Sequence, residues 1–307
     1  MLYMKRIVSV SIGSSLRDHL VEIDILGERY LIQRIGTDGD IKKAISMINQ
    51  LDGKVDAIGV GGINLYLTGV ENQKYVVKEA IPIINAARVT PICDGSGVKN
   101  TLEYSVINYL NKNNIIPLKD KKVLVTCATD RFRMTEAFIE NNCQVLMGDL
   151  IFALGIPITI KRINVLKKLL KVLMPIISKL PFKILYPTGN KQSENNNEKF
   201  KKYYDNADII AGDFHYIKKY MPKSLEGKII ITNTVTSDDV NLLKNLGVDT
   251  LVTTTPNWDG RSFGTNVIEA IILSNLKKKW LDLKESDYNL MIDKLSIMPR
   301  IVHFKVD

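Results

Sequence analysis

Apolar and polar positions follow two rhythms along this 307-residue chain, and the change between them is the first structural signal. Over residues 5 to 35, "RIVSVSIGSS", "HLVEIDI" and "ERYLIQRIG" are short strand-like runs, with Gly27 between the last two. They predict a strand followed by a hairpin. A helix is predicted at about 40–51, then strands at "VDAIGVGG" and at "VTPICDGSG", the second ending on a glycine turn. Val98, Leu102, Val106 and Leu110 recur at helical spacing. "NIIPLKDK", which joins a proline to a charge cluster, is the predicted linker.

From residue 122 the apolar runs "KVLVTCAT", "CQVLMGD", "ADIIAGD", "KIIITNT" and "DTLVTTTP" alternate with helical patterns. Such alternation requires crossovers, and therefore a mostly parallel sheet. The expectation is an α/β protein of two domains: an N-terminal mixed α/β substrate domain at 1–115, and a C-terminal Rossmann-like nucleotide-binding domain at 116–307. The second would carry a basic amphipathic insertion at 160–202.

A hydrophobic content of 45% with 24% charged residues fits a globular protein. The net charge of +9 changes meaning once located. Eleven of the 42 Lys/Arg and two of the 33 Asp/Glu fall in residues 161–202, so the remaining charges balance. Nucleic-acid binders spread basic residues among aromatics over a face, so no nucleic-acid partner is expected. Cys93, Cys127 and Cys143 form no pair motif or metal spacing, and no metal is expected. "MLYMKRIVSV" lacks the apolar run and cleavage site of a secretory leader, so a cytoplasmic location is expected.

Each predicted strand of the second half ends in small polar residues: Thr129 and Asp130, Gly148 and Asp149, Gly212 and Asp213, Asn233 and Thr234, Thr253 to Thr255. Ligands of open parallel sheets bind beyond those ends. The first turn, "TCATDRFR", sits where a dinucleotide fold places glycines, yet Cys127, Asp130 and Arg133 stand at the glycine positions. Asp130 suits a helix N-cap there. Arg131 and Arg133 could hold phosphate by charge-assisted bonds. Asp149, about 20 residues on, suits a ribose and would favour NAD over NADP. The expected cofactor set is Thr129, Asp130, Arg131, Arg133, Asp149, Asn233, Thr234 and Thr254.

"DGSGVKN" (94–100) is a glycine turn entering a helix, which makes an anion site of free N–H groups with Lys99 beside it. Asp94, Lys99 and His215 are the catalytic candidates, with Asp213 placed to orient His215. Ser14, Ser15, Ser96, Asn100, Asn257 and Arg261 are the substrate candidates. In "KRINVLKKLLKVLMPIISKL" the lysines share one side and the apolar residues fill an arc of ~200°. Packing on the body of the protein, a homodimer arm, or peripheral membrane contact through 161–180 are its three uses.

"VSVSIGSSLRDH", "RIGTDGDIKKA", "GDLIFALGIP", "ADIIAGDFHYIKKYMP" and "GRSFGTNVIEA" together resemble a clostridial and thermoanaerobic family labelled quinate 5-dehydrogenase. The resemblance implies a substrate domain, a nucleotide-binding domain and NAD(P)-linked oxidation of a small hydroxy acid of quinate or shikimate type at the inter-domain cleft. The Asn-Val-Thr-x-Pro segment that precedes the catalytic Lys of such dehydrogenases has no counterpart here. "AIGVGG", an "AT" turn and "ADIIAG" are also similar in layout to acyl-carrier-protein reductases, which implies an acyl or lipid-type substrate. The opening third is similar to actin-like sugar kinases, with Ser11 where those carry an Asp. The expectation from a different class is a non-catalytic ligand-binding protein with a degenerate Rossmann site.

Overall fold

Residues Ile7–Ser11 are buried without a break, which a strand sustains only when both faces of its sheet are covered. They belong to β1 (Met4–Ser11) in the computed structural model, which describes residues 3–68, 74–177, 200–258, 261–276 and 278–304. The chain forms two compact units. The first holds the described residues of Met1–Thr101, Leu173–Lys191 and Phe263–Ile297; the second holds those of Leu102–Val172, Gln192–Ser262 and Met298–Asp307.

In the first unit β1 lies between β3 (Glu28–Gly36) and β4 (Ala57–Gly61), parallel to both. β2 (His19–Ile25) pairs antiparallel with β3 across Gly27, and β7 (Ile92–Cys93) extends the sheet beyond β4. Gly27 has φ +85°, which suits a residue without a Cβ. α1 (Ile41–Leu51) starts where the Asp40 carboxylate accepts the Lys43 N–H at 2.9 Å. β5 (Tyr66–Thr68) pairs with β6 (Lys74–Val76), and α2 (Ile81–Ile84) follows. α3 (Ser96–Lys112), which belongs to this unit up to Thr101 and to the second from Leu102, buries Val98, Leu102, Val106 and Leu110, the stripe its spacing predicts. α10 (Thr265–Asn275) packs on β1, β4 and β7 and buries every residue from Asn266 to Leu273. A helix buried all round has to be central. α11 (Glu285–Lys294) packs against it.

The second unit is a six-stranded sheet in the order β15-β12-β11-β10-β8-β9. β8 (Lys122–Val125), β9 (Gln144–Met147), β10 (Ile209–Gly212), β11 (Ile229–Thr232) and β12 (Thr250–Thr253) are parallel. β15 (Arg300–His303) is antiparallel at the edge, a strand the sequence pattern does not announce. The helices are α4 (Phe132–Glu140), α5 (Asp149–Leu154), α6 (Ile163–Ile177, of which residues up to Val172 belong to this unit), α7 (Lys201–Asp205), α8 (Phe214–Tyr220) and α9 (Ser237–Asn245). A two-residue ribbon joins β13 (Asn257–Trp258) to β14 (Arg261–Ser262). Leu124, Ile210, Ile230 and Leu251 from the strands pack with Phe152, Phe200, Tyr204 and Phe214 in one core. The parallel order reverses direction at β8 and β10, so the switch point lies at their carboxyl ends.

The α/β class with mostly parallel sheets is as expected, but the division of the chain differs from a cut at 115/116. Phe263–Ile297 belongs with the N-terminal residues, because α10 supplies the apolar cover their sheet requires. "NIIPLKDK" is not a linker. Ile116 and Leu118 are buried, and the Leu118 N–H donates to Asn111 Oδ1 at 3.1 Å, so the segment is a packed turn within the second unit. Most of the second half of the basic insertion expected at 160–202 lies outside the described residues.

Candidate functional site

The β8 turn lacks the glycines of a diphosphate cradle, and its donors are already engaged. Asp149, the first residue of α5, turns its carboxylate back across the sheet edge. Its Oδ2 accepts the Ala128 N–H at 3.1 Å, and its Oδ1 accepts the Thr129 N–H at 2.8 Å and the Thr129 hydroxyl. These main-chain donors are the kind that would meet a phosphate at such a turn. Asp149 therefore holds the turn from within and is not presented to a ribose. Burial pushes its carboxyl above the ordinary range, against the hydrogen bonds from Thr129 and Ala128. Cys127 Sγ lies 3.9 Å from the same oxygen. Burial and that charge raise the Cys127 thiol well above its ordinary value, which favours the neutral thiol.

Arg131 is buried and engaged by the protein's own acids, which removes it from the expected phosphate-holding role. One terminal nitrogen meets Glu103 Oε1 of α3; the other donates to Asp213 Oδ2 at 2.9 Å. Its Nε lies 3.2 Å from Asp130 Oδ2. Asp130 is thus an ion-pair partner, while the N-cap position of α4 is Arg131 itself. Arg133 points away as well, pairing with Glu136 at 2.9 Å and lying 4.2 Å from the Tyr104 ring centroid. Asp213 caps α8 by accepting the His215 main-chain N–H at 2.9 Å, and its other oxygen also accepts from Asn233 Nδ2 at 2.9 Å. Burial would raise the Asp213 carboxyl, but His215 and Arg131 hold it below the ordinary range. His215 itself is exposed. Gly212 has φ +137°, and a Cβ there would run into Thr126 Oγ1, so β10 reaches this corner only with a glycine. The structure therefore gathers Thr129, Asp130, Arg131, Asp149, Asp213 and Asn233 at one edge. Thr254 is buried with no hydrogen-bond partner for its hydroxyl, and Thr234 is half-buried.

The first unit treats its own anion site the same way. At the start of α3 the Gly95 N–H donates to Glu269 Oε2 at 2.7 Å, and the Val98 N–H donates to Oε1 at 3.1 Å. The Tyr288 hydroxyl donates to Oε1 at 2.6 Å. Asp94 accepts the Ser96 N–H at 2.8 Å and the Leu65 N–H. The Gly95 and Ser96 N–H groups of "DGSG" therefore hold two internal carboxylates. A Cβ on Gly97 would overlap Tyr288 Oη and Glu269 Oε1. Burial first, and then the charge of Asp94, push Glu269 up to about 7. Burial also raises Asp94, against its hydrogen bonds and the charge of Lys99. Lys99 and Asn100 are half-buried.

The remaining candidates do local work. The Ser14 hydroxyl caps a short 3₁₀ turn by accepting the Leu16 N–H, and the Ser15 N–H donates to Asp38. Ser11 Oγ accepts from Arg34 at 3.0 Å. Asn257 accepts from Arg300 at 3.3 Å, and the Arg261 side chain lies outside the described residues. Glu103, Glu269 and Tyr288 were not among the expected residues. Their signal was available: a lone carboxylate in an apolar helix, as in "TNVIEAIIL" or "NTLEYSVI", has to find donors when buried.

Residues 97–304 match a family described as "Domain of unknown function (DUF8754)". The chain belongs to that family. Residues 6–94 match "Domain of unknown function (DUF8753)", so the two matches meet at the turn where Asp94 and Glu269 engage α3. No curated protein matches the chain. Among solved structures it is similar to an ABC transporter solute-binding protein from Agrobacterium vitis with bound allitol. That comparison gives 11% identity, 99% of this chain, 97% of the other and TM-score 0.37. A galactofuranose-binding protein gives 12% identity, 95% and 98% coverage and TM-score 0.34. An NAD-dependent malic enzyme from Thermotoga maritima gives 15%, 88%, 71% and 0.34. At these scores the site of this DUF8754 member has to be read from its own residues.

Proposed function

We propose that this chain is a non-catalytic binder of a small polar molecule, uncharged or cationic, at the carboxyl edge of the second unit's sheet. The observation that carries this reading is the Asp149 carboxylate on the Ala128 and Thr129 N–H groups, where a nicotinamide dinucleotide would need its diphosphate. Charge supports it further. Around one guanidinium, that of Arg131, stand three carboxylates, those of Glu103, Asp130 and Asp213, so the edge is net acidic and opposes a diphosphate. Asp130, the most exposed of these three carboxylates, instead offers an acceptor that suits hydroxyl or ammonium groups, next to the mutually bonded Asp213 and Asn233.

Two titrations test this. NADH and NADPH fluorescence should show no saturable binding up to millimolar cofactor. Thermal unfolding against a panel of neutral polyols, amines and phosphorylated analogues should give a rise of Tm with an uncharged or cationic member. That rise should be lost in Asp213→Ala, since only a ligand of the native state stabilises it. Saturable cofactor binding at micromolar concentration, or a response confined to the anionic members, would reject the proposal.

A further inference from the structure

The α5–α6 region of the second unit carries four exposed branched aliphatic side chains. Ile156 is 40% exposed, Ile158 58%, Val165 50% and Val172 66%. Val165 and Val172 are seven residues apart, hence on one helical face, while Leu166 and Leu170 are buried on another. The preceding loop is held in place. The Gly155 N–H donates to Ile151, and Ile160 exchanges two main-chain hydrogen bonds with Met147 of β9. Lys161, Arg162, Lys168 and Lys171 are exposed among these aliphatic residues. No Asp or Glu occurs in the sequence between Asp149 and Glu194. Lys167 differs: it turns back to Glu136 at 3.5 Å and to the Phe132 ring.

We propose that this face docks on an anionic lipid surface, lying in the headgroup plane with Ile156, Ile158, Val165 and Val172 toward the acyl region. Branched aliphatic groups ringed by ammonium and guanidinium match a surface that is anionic outside and apolar beneath. A nucleic acid would satisfy the cations and leave the aliphatic groups in water. A second copy meeting this patch about a two-fold axis would set the two cation clusters against each other. Among the described residues no helix is long and apolar enough to cross a membrane, which fits docking along α6.

The test is co-sedimentation with phosphatidylcholine vesicles, with and without phosphatidylglycerol, at low and high salt. The wild type should pellet with the phosphatidylglycerol vesicles, less so at high salt, and weakly with phosphatidylcholine alone. V165E/V172E and K168E/K171E should each lower partitioning at least about tenfold. K42E/K43E, the same charge change in α1 of the first unit, should not. Circular dichroism melts matching the wild type show that the variants fold, as expected for exposed positions. The proposal is overturned if the wild type stays in solution with phosphatidylglycerol vesicles, or if K42E/K43E lowers binding as much as K168E/K171E. It is also overturned if light scattering shows a dimer that V165E/V172E dissolves while vesicle binding is absent.

Discussion

Glu269 shows what a single buried carboxylate does here. Gly95, Val98 and Tyr288 donate to it, yet burial and Asp94 push its carboxyl from the ordinary 4.5 up to about 7. A folded-state value above the unfolded one means that the folded chain keeps the proton longer. The associated stability is complete below pH ~4.5, falls as pH rises to about 7, and is level above that. Asp94, also raised, acts in the same direction. The decline amounts to up to about 3 kcal/mol. Urea unfolding followed by Trp280 in a W258F background should show lower stability at pH 8 than at pH 5, and E269Q should flatten that slope. Equal slopes in the two proteins would refute this account.

Between elements, Arg131 ties α3, α4 and the N-terminus of α8 together through Glu103, Asp130 and Asp213. Breaking a buried pair leaves an uncompensated charge, whereas replacing both partners with apolar groups of similar size does not. R131M should therefore cost about 3–5 kcal/mol of unfolding free energy, and R131M/E103L should recover at least half of it. Guanidinium unfolding of the two variants and of the wild type decides this; a double variant no more stable than R131M would show that the unpaired Glu103 charge is not what destabilises the single variant. The element pattern itself was legible. Helix α1, the α3 stripe and all five parallel strands lie where periodicity puts them, because burial imposes that periodicity on the residues directly. Edge strand β15, with its half-buried residues, has a weak pattern and was missed.

At the scale of the whole chain, the first unit is closed by residues more than 160 positions downstream of Thr101. Its β1, β4 and β7 are covered by α10, where Asn266 Nδ2 reaches Ser9 Oγ at 2.6 Å. A fragment of residues 1–101 should therefore lack a cooperative urea transition and near-ultraviolet ellipticity, and fusing residues 263–297 behind it by a flexible linker should restore both. Cooperative unfolding of 1–101 alone would show that α10 is dispensable. The domain division read from the sequence placed that helix in the other unit, because α10 follows a strand-and-turn pattern continuous with the second sheet. Nothing in a linear pattern records which sheet a buried helix covers.

Taken alone, the sequence determined the α/β class, the parallel sheet of the second unit, the clustering of polar strand ends and the absence of turn glycines at 127–133. Each is a local consequence of hydrophobic period and residue type. Only the tertiary structure decided what fills those turns. Asp149 reaches Thr129 across 20 positions, Glu103 reaches Arg131 across 28, and Glu269 reaches Gly95 across 174. A buried carboxylate takes whichever donors the fold brings to it, and that proximity is fixed by packing, not by spacing along the chain.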